Sequence, residues 1–385
     1  MIPLSIPNIS GNEWKYVKDC LDTGWISSVG SYVTQFENKV AEFVGANYGV
    51  AAMNGTAAIH LSLQLADVEQ NDYVIVPNIT FIASCNAVAY TGAEPILIDV
   101  DKMTWQMDLD LLEEFLENET FLVENGIGSE INSINSHLKS NGRKIAALLP
   151  VHVLGNMCDM DRLLNISAKY HIPIIEDSTE SLGSKYNGKA AGTFGTFGTF
   201  SFNGNKIIST GGGGVIVTND ESLAKQAKHL TTQAKTDPFE YDHDAIGYNY
   251  RLVNVLAAIG VAQMEQLPNF LSRKKEIDTK YRNELESKEL RFQTITKNVT
   301  PNNWLHTMWV EEQRPMIDHL LANEIQCRPF WVPMNQLKMF EGCHYINNND
   351  VSNEVYSHCI SIPSSTNLTD DQVDTVISVV KAYYV

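Results

Sequence analysis

Apolar and polar residues recur along this chain in two periods that take turns. Short apolar runs at 49–53, 73–77, 95–100, 145–151 and 172–177 read as buried strands. Stretches with helical spacing lie at 32–44, 59–65, 80–90, 109–116, 131–138 and 160–171. This alternation predicts an α/β fold, a mostly parallel sheet with helices on both faces. Residues 1–30 read as an irregular arm around a helix at 11–22, and the rest of 102–143 as polar insertion or loop. Glycines dot a connector at 181–195, read as turns or a hairpin. Short strands follow at 200–202 and 215–218, then helices at 221–230 and 255–267 separated by a polar loop. Pro268 reads as a hinge, which places a large domain at 1–267 and a smaller one at 268–385. Helices at 272–287, 315–323 and 370–384 alternate there with strands at 304–310, 326–331 and 359–363, which suits an α+β domain.

Composition narrows the partners. A formal net charge of −18 argues against nucleic acid or an anionic membrane surface, yet leaves room for a small phosphorylated ligand held by local donors. The six cysteines are scattered with no C-x-x-C pair, so reduced thiols are expected and no metal site. There is neither a signal-like opening nor an apolar stretch of membrane-spanning length, and the chain reads as soluble and cytoplasmic.

In a parallel α/β sheet, side chains at the carboxyl ends of strands line the site. Four residues fall there: Thr56, Phe81, His152 and Asp177, the last preceded by Glu176. Gly55-Thr56-Ala57 opens a helix and offers N–H groups plus a hydroxyl to an anion, though Thr56 also serves as a plain N-cap. Phe81 reads as a ligand-facing ring or as core. Gly24-Trp25-Ile26-Ser27 suits stacking on a ligand or plugging a subunit seam. Lys206 is distinctive, sitting in a polar turn between the strand ending in Ser201 and the run Gly211–Gly214. Four glycines in a row imply close backbone approach or unusual angles. A lysine there is either a solvated turn residue or a desolvated amine able to attack a carbonyl. It precedes the glycines, so the spacing is not that of a nucleotide-binding P-loop. No G-x-G-x-x-G opens a helix after an early strand, which excludes a nicotinamide enzyme.

Pyridoxal 5′-phosphate calls for these parts together. Its aldehyde needs an amine (Lys206) and its ring nitrogen a buried carboxylate (Asp177). Its phosphate needs helix-start N–H groups and hydroxyls (Thr56, Ala57, Ser201), and its ring an aromatic cover (Phe81). Five stretches carry a resemblance along nearly the whole chain: Asn54-Gly55-Thr56-Ala57-Ala58, Thr80-Phe81, residues 176–183, residues 200–206 with the glycines that follow, and Gly247-Tyr248-Asn249-Tyr250-Arg251. On these the chain resembles the DegT/DnrJ/EryC1 sugar aminotransferases, of aspartate-aminotransferase-like fold type I with a seven-stranded sheet.

The resemblance implies that Lys206 bonds the cofactor and moves the proton in both half-reactions, with Asp177 on the pyridine nitrogen and Glu180 against the ring. Thr56, Ala57 and Ser201 would bind the phosphate, joined by Asn249 of a neighbouring subunit, which implies a homodimer. Gly24, Trp25, Ile26 and Ser27, with Arg328, Pro329, Phe330 and Trp331, would face the nucleotide-sugar. Glutamate would be the donor, leaving the cofactor as pyridoxamine 5′-phosphate. Ser178-Thr179 departs from the usual Ala-Ala. The lead-in to Lys206, the glycine run and Cys327-Arg328-Pro329-Phe330-Trp331 are most similar to enzymes that aminate UDP-linked 4-keto-6-deoxy-2-acetamido sugars on bacillosamine or legionaminic acid routes. The alternatives are a GDP-linked perosamine precursor, a 3-keto sugar, or a non-catalytic sugar-nucleotide-binding regulator. A regulator fits poorly with the retained Lys206 and Asp177.

Overall fold

The computed structural model describes residues 1–127, 130–237 and 239–384. Helices α1 (Glu13–Thr23) and α2 (Ser31–Val44) lead into β1 (Tyr48–Ala52), α3 (Gly55–Leu65), β2 (Tyr73–Pro77), α4 (Ala83–Tyr90), β3 (Glu94–Ile98) and α5 (Leu109–Glu119). An antiparallel pair, β4 (Thr120–Ile127) and β5 (Glu130–Leu138), precedes β6 (Lys144–Leu148), α6 (Met160–Tyr170) and β7 (Ile175–Asp177). The short pair β8 (Lys185–Tyr186) and β9 (Lys189–Ala190) comes before β10 (Phe197–Ser201), β11 (Gly214–Thr218), α7 (Glu221–Thr231) and the long α8 (Asn254–Leu285). Beyond it lie β12 (Leu290–Phe292), β13 (Val299–Thr300), β14 (His306–Val310), α9 (Gln313–Ala322), β15 (Arg328–Pro329), β16 (Tyr345–Ile346), α10 (Val351–His358), β17 (Cys359–Ile362) and α11 (Asp370–Ala382).

The main sheet runs β1–β11–β10–β7–β6–β2–β3, with β11 alone against the other six, and the short β16 adds a parallel strand at the β3 edge. The β6–β7 junction consists of two parallel bridges, Leu148 to Ile174 and Val151 to Asp177. In this order the strands from β1 to β3 are largely apolar and buried on both faces, as in a sheet covered twice, with Glu176 and Asp177 of β7 as its buried carboxylates. One face packs Ile59, Leu63 and Val88 of α3 and α4, and the other packs Leu112 and Leu116 of α5 and Leu163 of α6. The smaller sheet, β12–β14–β17–β15, is antiparallel and covered by α9, α11 and the end of α8.

Three sequence expectations change. Residues 131–138 form strand β5, not a helix, although Ile131, Ile134 and Leu138 keep helical spacing. Asn and Ser, weak helix formers, fill the gaps, and β5 finds partners in β4 and in the start of β6. Pro268 lies inside α8 instead of ending it. An internal proline costs about 3 kcal/mol. Here α8 is held on both sides, by Val261, Leu267 and Phe270 in the large core and by Ile277, Tyr281 and Leu285 in the small one. The place read as a hinge is therefore a continuous spine. The arm also reaches farther than expected, since Ile2 bridges to Ile325 and the Leu4 carbonyl accepts from the Ser364 N–H.

Two buried carboxylates brace the frame. Asp99, at the end of β3, accepts the Val351 and Ser352 N–H groups at 2.8 Å each and the Ser352 hydroxyl at 2.5 Å. It thus caps α10 from across the chain, because Asp350 has left-handed geometry and makes no side-chain cap bond. Glu176 is fully buried and accepts the N–H groups of Gly192, Phe194 and Gly195 at 2.8, 2.6 and 2.7 Å. His152, also fully buried, meets it at 3.1 Å through Nε2. Burial alone would lower His152, but neighbouring Cys158 and Glu176 outweigh it and raise the imidazole to about 9. His152 and Glu176 are scaffold.

Removing the cap in Asp99→Ala strands buried donors and is expected to lower unfolding free energy by about 2–3 kcal/mol, read by urea titration. For His152, an unfolded imidazole titrates near 6.5, so the bound proton stabilises the fold fully below that and the benefit is lost as pH rises through about 9. Wild type should lose roughly 3 kcal/mol from this group across that interval. His152→Gln should be flatter there by a similar amount.

Candidate active site

The carboxyl ends of β7 and β10, the starts of α3 and α4 and the 203–206 turn surround a cavity of about 360 Å³. Asp177 ends β7 and is 2% exposed. Its Oδ2 accepts the Ser84 hydroxyl at 2.6 Å and its Oδ1 the Thr179 N–H at 3.1 Å. Ser84 in turn shares a hydrogen bond with the Thr80 hydroxyl at 2.8 Å. A donor on each oxygen fixes the orientation of this carboxyl group.

Glycine sets how closely the walls approach. A Cβ on Gly214 would lie 2.4 Å from the Asn54 carbonyl, and one on Gly55 would lie 2.9 Å from the Ser201 Cβ. Without side chains there, β11 and β10 press against the start of α3 and bring its N–H groups to the cavity. Gly211 carries the turn at a φ of +84°. The glycine run serves both purposes expected of it.

Lys206 projects from that turn and its Nζ lies 3.9 Å from the Glu180 Oε1. Both groups are desolvated, in opposite senses. Burial raises Glu180 to about 7, partly offset by the charge of Lys206 and the Leu154 N–H, which it accepts at 2.8 Å. Burial lowers Lys206, opposed by the charges of Glu180 and Asp177. A buried amine drawn toward neutrality beside a carboxyl drawn toward protonation is a nucleophile with a proton acceptor next to it.

Of the residues picked out in the sequence, Thr56, Phe81, Asp177, Glu180, Ser201 and Lys206 line this one cavity, and so do Arg328, Pro329, Phe330 and Trp331. Phe81 is 55% exposed at the edge and is not a core ring. Ala57 is buried and its N–H is taken by the Asn54 side chain at 2.8 Å, which leaves Gly55 and Thr56 as the helix-start residues on the cavity. His152 turns away to Glu176. Gly24, Trp25, Ile26 and Ser27 are outside the lining, with Trp25 and Ile26 exposed and their loop tied to Asn254. Asn249 is exposed too, in a bridge with Thr232. The 328–335 wall is fixed by an amide pair: Asn78 Nδ2 donates to Asn335 Oδ1 and the Asn335 N–H to Asn78 Oδ1, each at 2.9 Å. Sequence reading left unassigned Ser84, one helical turn after Thr80, and Trp304, whose ring lies 4.0 Å from the Lys206 amine. A serine at a helix start and an aromatic before a strand carry no distinguishing signal.

This donor set fits pyridoxal 5′-phosphate: an amine for its aldehyde, a buried carboxyl group for its ring nitrogen, and a helix start with the Ser201 hydroxyl for its phosphate. Among the described residues, no helix is long and apolar enough to cross a membrane.

Comparison with known proteins agrees. The chain is 37% identical over 386 residues to GDP-perosamine synthase of Escherichia coli O157:H7, spanning 100% of this chain and 98% of that one. It is 36% identical to the putative pyridoxal phosphate-dependent aminotransferase EpsN of Bacillus subtilis, spanning 98% and 94%. Among solved structures, the pyridoxamine-phosphate form of the putative sugar aminotransferase Spr1654 from Streptococcus pneumoniae superposes with a TM-score of 0.88 at 26% identity, covering 99% of this chain and 98% of that one. Residues 7–381 match the DegT/DnrJ/EryC1/StrS aminotransferase family, and the chain belongs to it as a pyridoxal-phosphate-dependent aminotransferase.

Proposed function

We propose that this enzyme transfers an amino group from glutamate to the C4 ketone of a nucleotide-linked 4-keto-6-deoxy sugar, and that Lys206 carries the proton in both halves of the exchange. The observation that supports it most is the Lys206–Glu180 pair, 3.9 Å apart on the cavity that Asp177 also lines, with the lysine side chain 12% and the glutamate 1% exposed. The cofactor supplies the aldehyde that accepts the amino group and the ring that takes up the electron pair. Asp177, its oxygens fixed by Ser84 and Thr179, holds the proton on the ring nitrogen. Gly55 and Thr56 with Ser201 receive the phosphate. Lys206, whose desolvation favours the neutral amine, takes a proton from the donor's α-carbon and later delivers one to sugar C4. Glu180 can hold or release a proton next to that amine near neutral pH. Arg328 supplies positive charge toward the diphosphate of an otherwise acidic chain.

The nucleotide is read as guanosine. Relatives from Escherichia coli and Vibrio cholerae, 37% and 32% identical, are named GDP-perosamine synthase. This moves the preference from the UDP-linked acetamido sugar suggested by the residues around Lys206. A homodimer completes the reading: Asn249 lies exposed and off its own cavity, as a residue destined for a neighbour's phosphate must.

Lys206→Ala should lower turnover by more than about 1,000-fold and lose the visible band of the bound cofactor. Retention of full turnover would sink the assignment. In wild type, glutamate should bleach that band. GDP-4-keto-6-deoxymannose should restore it, and UDP-4-keto-6-deoxy-N-acetylglucosamine at equal concentration should do so at least about tenfold more slowly. The reverse order would return the UDP-linked reading.

A further inference from the structure

We propose that Trp304 is a positioning residue for Lys206: its indole face holds the amine whenever the lysine is not bonded to the cofactor, and its indole N–H and backbone N–H, the latter through Asn302, tie the Lys206 and Glu180 loops into one unit. One lysine serving two half-reactions would be released in the donor half, stay free while the cofactor is in its amine form, and be recaptured in the sugar half. A freed lysine side chain has many rotamers, so a site that keeps it aimed at the reacting carbon speeds both halves.

Trp304 meets that need. It is 3% exposed, and the Lys206 Nζ lies over its ring, 4.0 Å from the centroid. Its indole Nε1 donates to the carbonyl of Asn205, the residue before Lys206, at 2.7 Å. Its backbone N–H donates to Asn302 Oδ1 at 3.0 Å. The Asn302 amide in turn donates to the Glu180 and Leu182 carbonyls at 2.8 and 2.9 Å. One short segment thus grips the lysine turn and the carboxylate loop, which are otherwise separate.

The third grip comes from Lys274, a residue the chemistry leaves unused. It is 2% exposed on α8 and donates to the Trp304 carbonyl at 2.6 Å and to the Ser364 carbonyl. Among the described residues, no carboxylate pairs with it. A buried lysine with carbonyl partners alone acts here through the chain it holds, and that chain carries Trp304.

The competing role is that Trp304, beside Trp331 at 6.4 Å and 22°, is only a wall for the nucleotide-sugar. The two roles separate in the donor half-reaction, where no sugar is present. Cofactor-loaded wild type, Trp304→Phe and Trp304→Leu would be followed in single turnovers: bleaching by glutamate, then recovery with the keto-sugar. Trp304→Leu, lacking ring and donor, should slow both halves alike by about tenfold or more, with KM for either substrate within about twofold. Trp304→Phe keeps a ring face but loses the bond to Asn205, and should slow both by about threefold. Reloading of the cofactor-free protein with pyridoxal 5′-phosphate should slow in the same order. Slowing confined to the sugar half with a raised sugar KM, or unchanged rates in both halves, would overturn the proposal. If Trp304→Leu does not fold, Trp304→Phe and Lys274→Met decide by the same symmetry. The proposal rests on Lys206 as the reacting amine. That premise fails separately, if Lys206→Ala keeps its visible band and turnover.

Discussion

Keeping an amine and two carboxylates out of water in one small space is the constraint on which this structure turns. Glu180 and Asp177 are buried, the Lys206 side chain is only 12% exposed, and the lysine feels the charge of both acids. Desolvating such groups singly would be prohibitive, and they persist because each has fixed partners. Asp177 has Ser84 and Thr179, Glu180 has the Leu154 N–H, and Lys206 has Glu180 and the face of Trp304. The partners come from α4, the loops after β7 and β6, and the segment before β14. The sheet order, the α8 spine and the interdomain cap by Asp99 can be read as what holds those pieces in register.

The dipeptide Glu176-Asp177 shows how economically the sheet does this. Successive strand residues point to opposite faces. Asp177 reaches the cavity, while Glu176 turns to the other side and collects the N–H groups of the 192–195 turn together with His152. That turn leads directly into β10, whose last residue, Ser201, lies on the cavity. Two adjacent acids thus fix the same site from both sides of one strand, one as ligand and one as brace.

Much of this was legible in the sequence. The strand ends were, because buried parallel strands are written as apolar runs, so that Asp177 at the end of one run and Thr56 just beyond another stand out from their surroundings. Lys206 was, because four glycines beside a lysine serve no purpose in an ordinary turn, and Gly214 and Gly211 bear out the close approach and the left-handed angle. What failed were elements whose local pattern was overruled from a distance. The 131–138 segment has helical spacing but a strand's partners. Pro268 has the signature of a break, yet the helix is packed on both sides of it. His152 stands at a strand end like the site residues, and only the position of Glu176 one residue before Asp177 decides that it faces the scaffold.

Trp304 and Lys274 were illegible for a further reason: each matters through a residue remote in sequence. A tryptophan ahead of a strand and a lysine in a basic helix match a core ring and a solvated charge. Their meaning arises where α8, the 302–304 segment and the 205–206 turn converge, some 100 residues apart in the chain for the indole bond to Asn205 alone, which spans 99 positions. The 302–304 segment and α8 thus complete surroundings that no local pattern around Lys206 announces. Phe330 and Trp331 are tilted against each other at 4.7 Å and Trp331 stacks with Trp304 at 6.4 Å, so the cavity wall and the ring under the Lys206 amine pack as one aromatic unit.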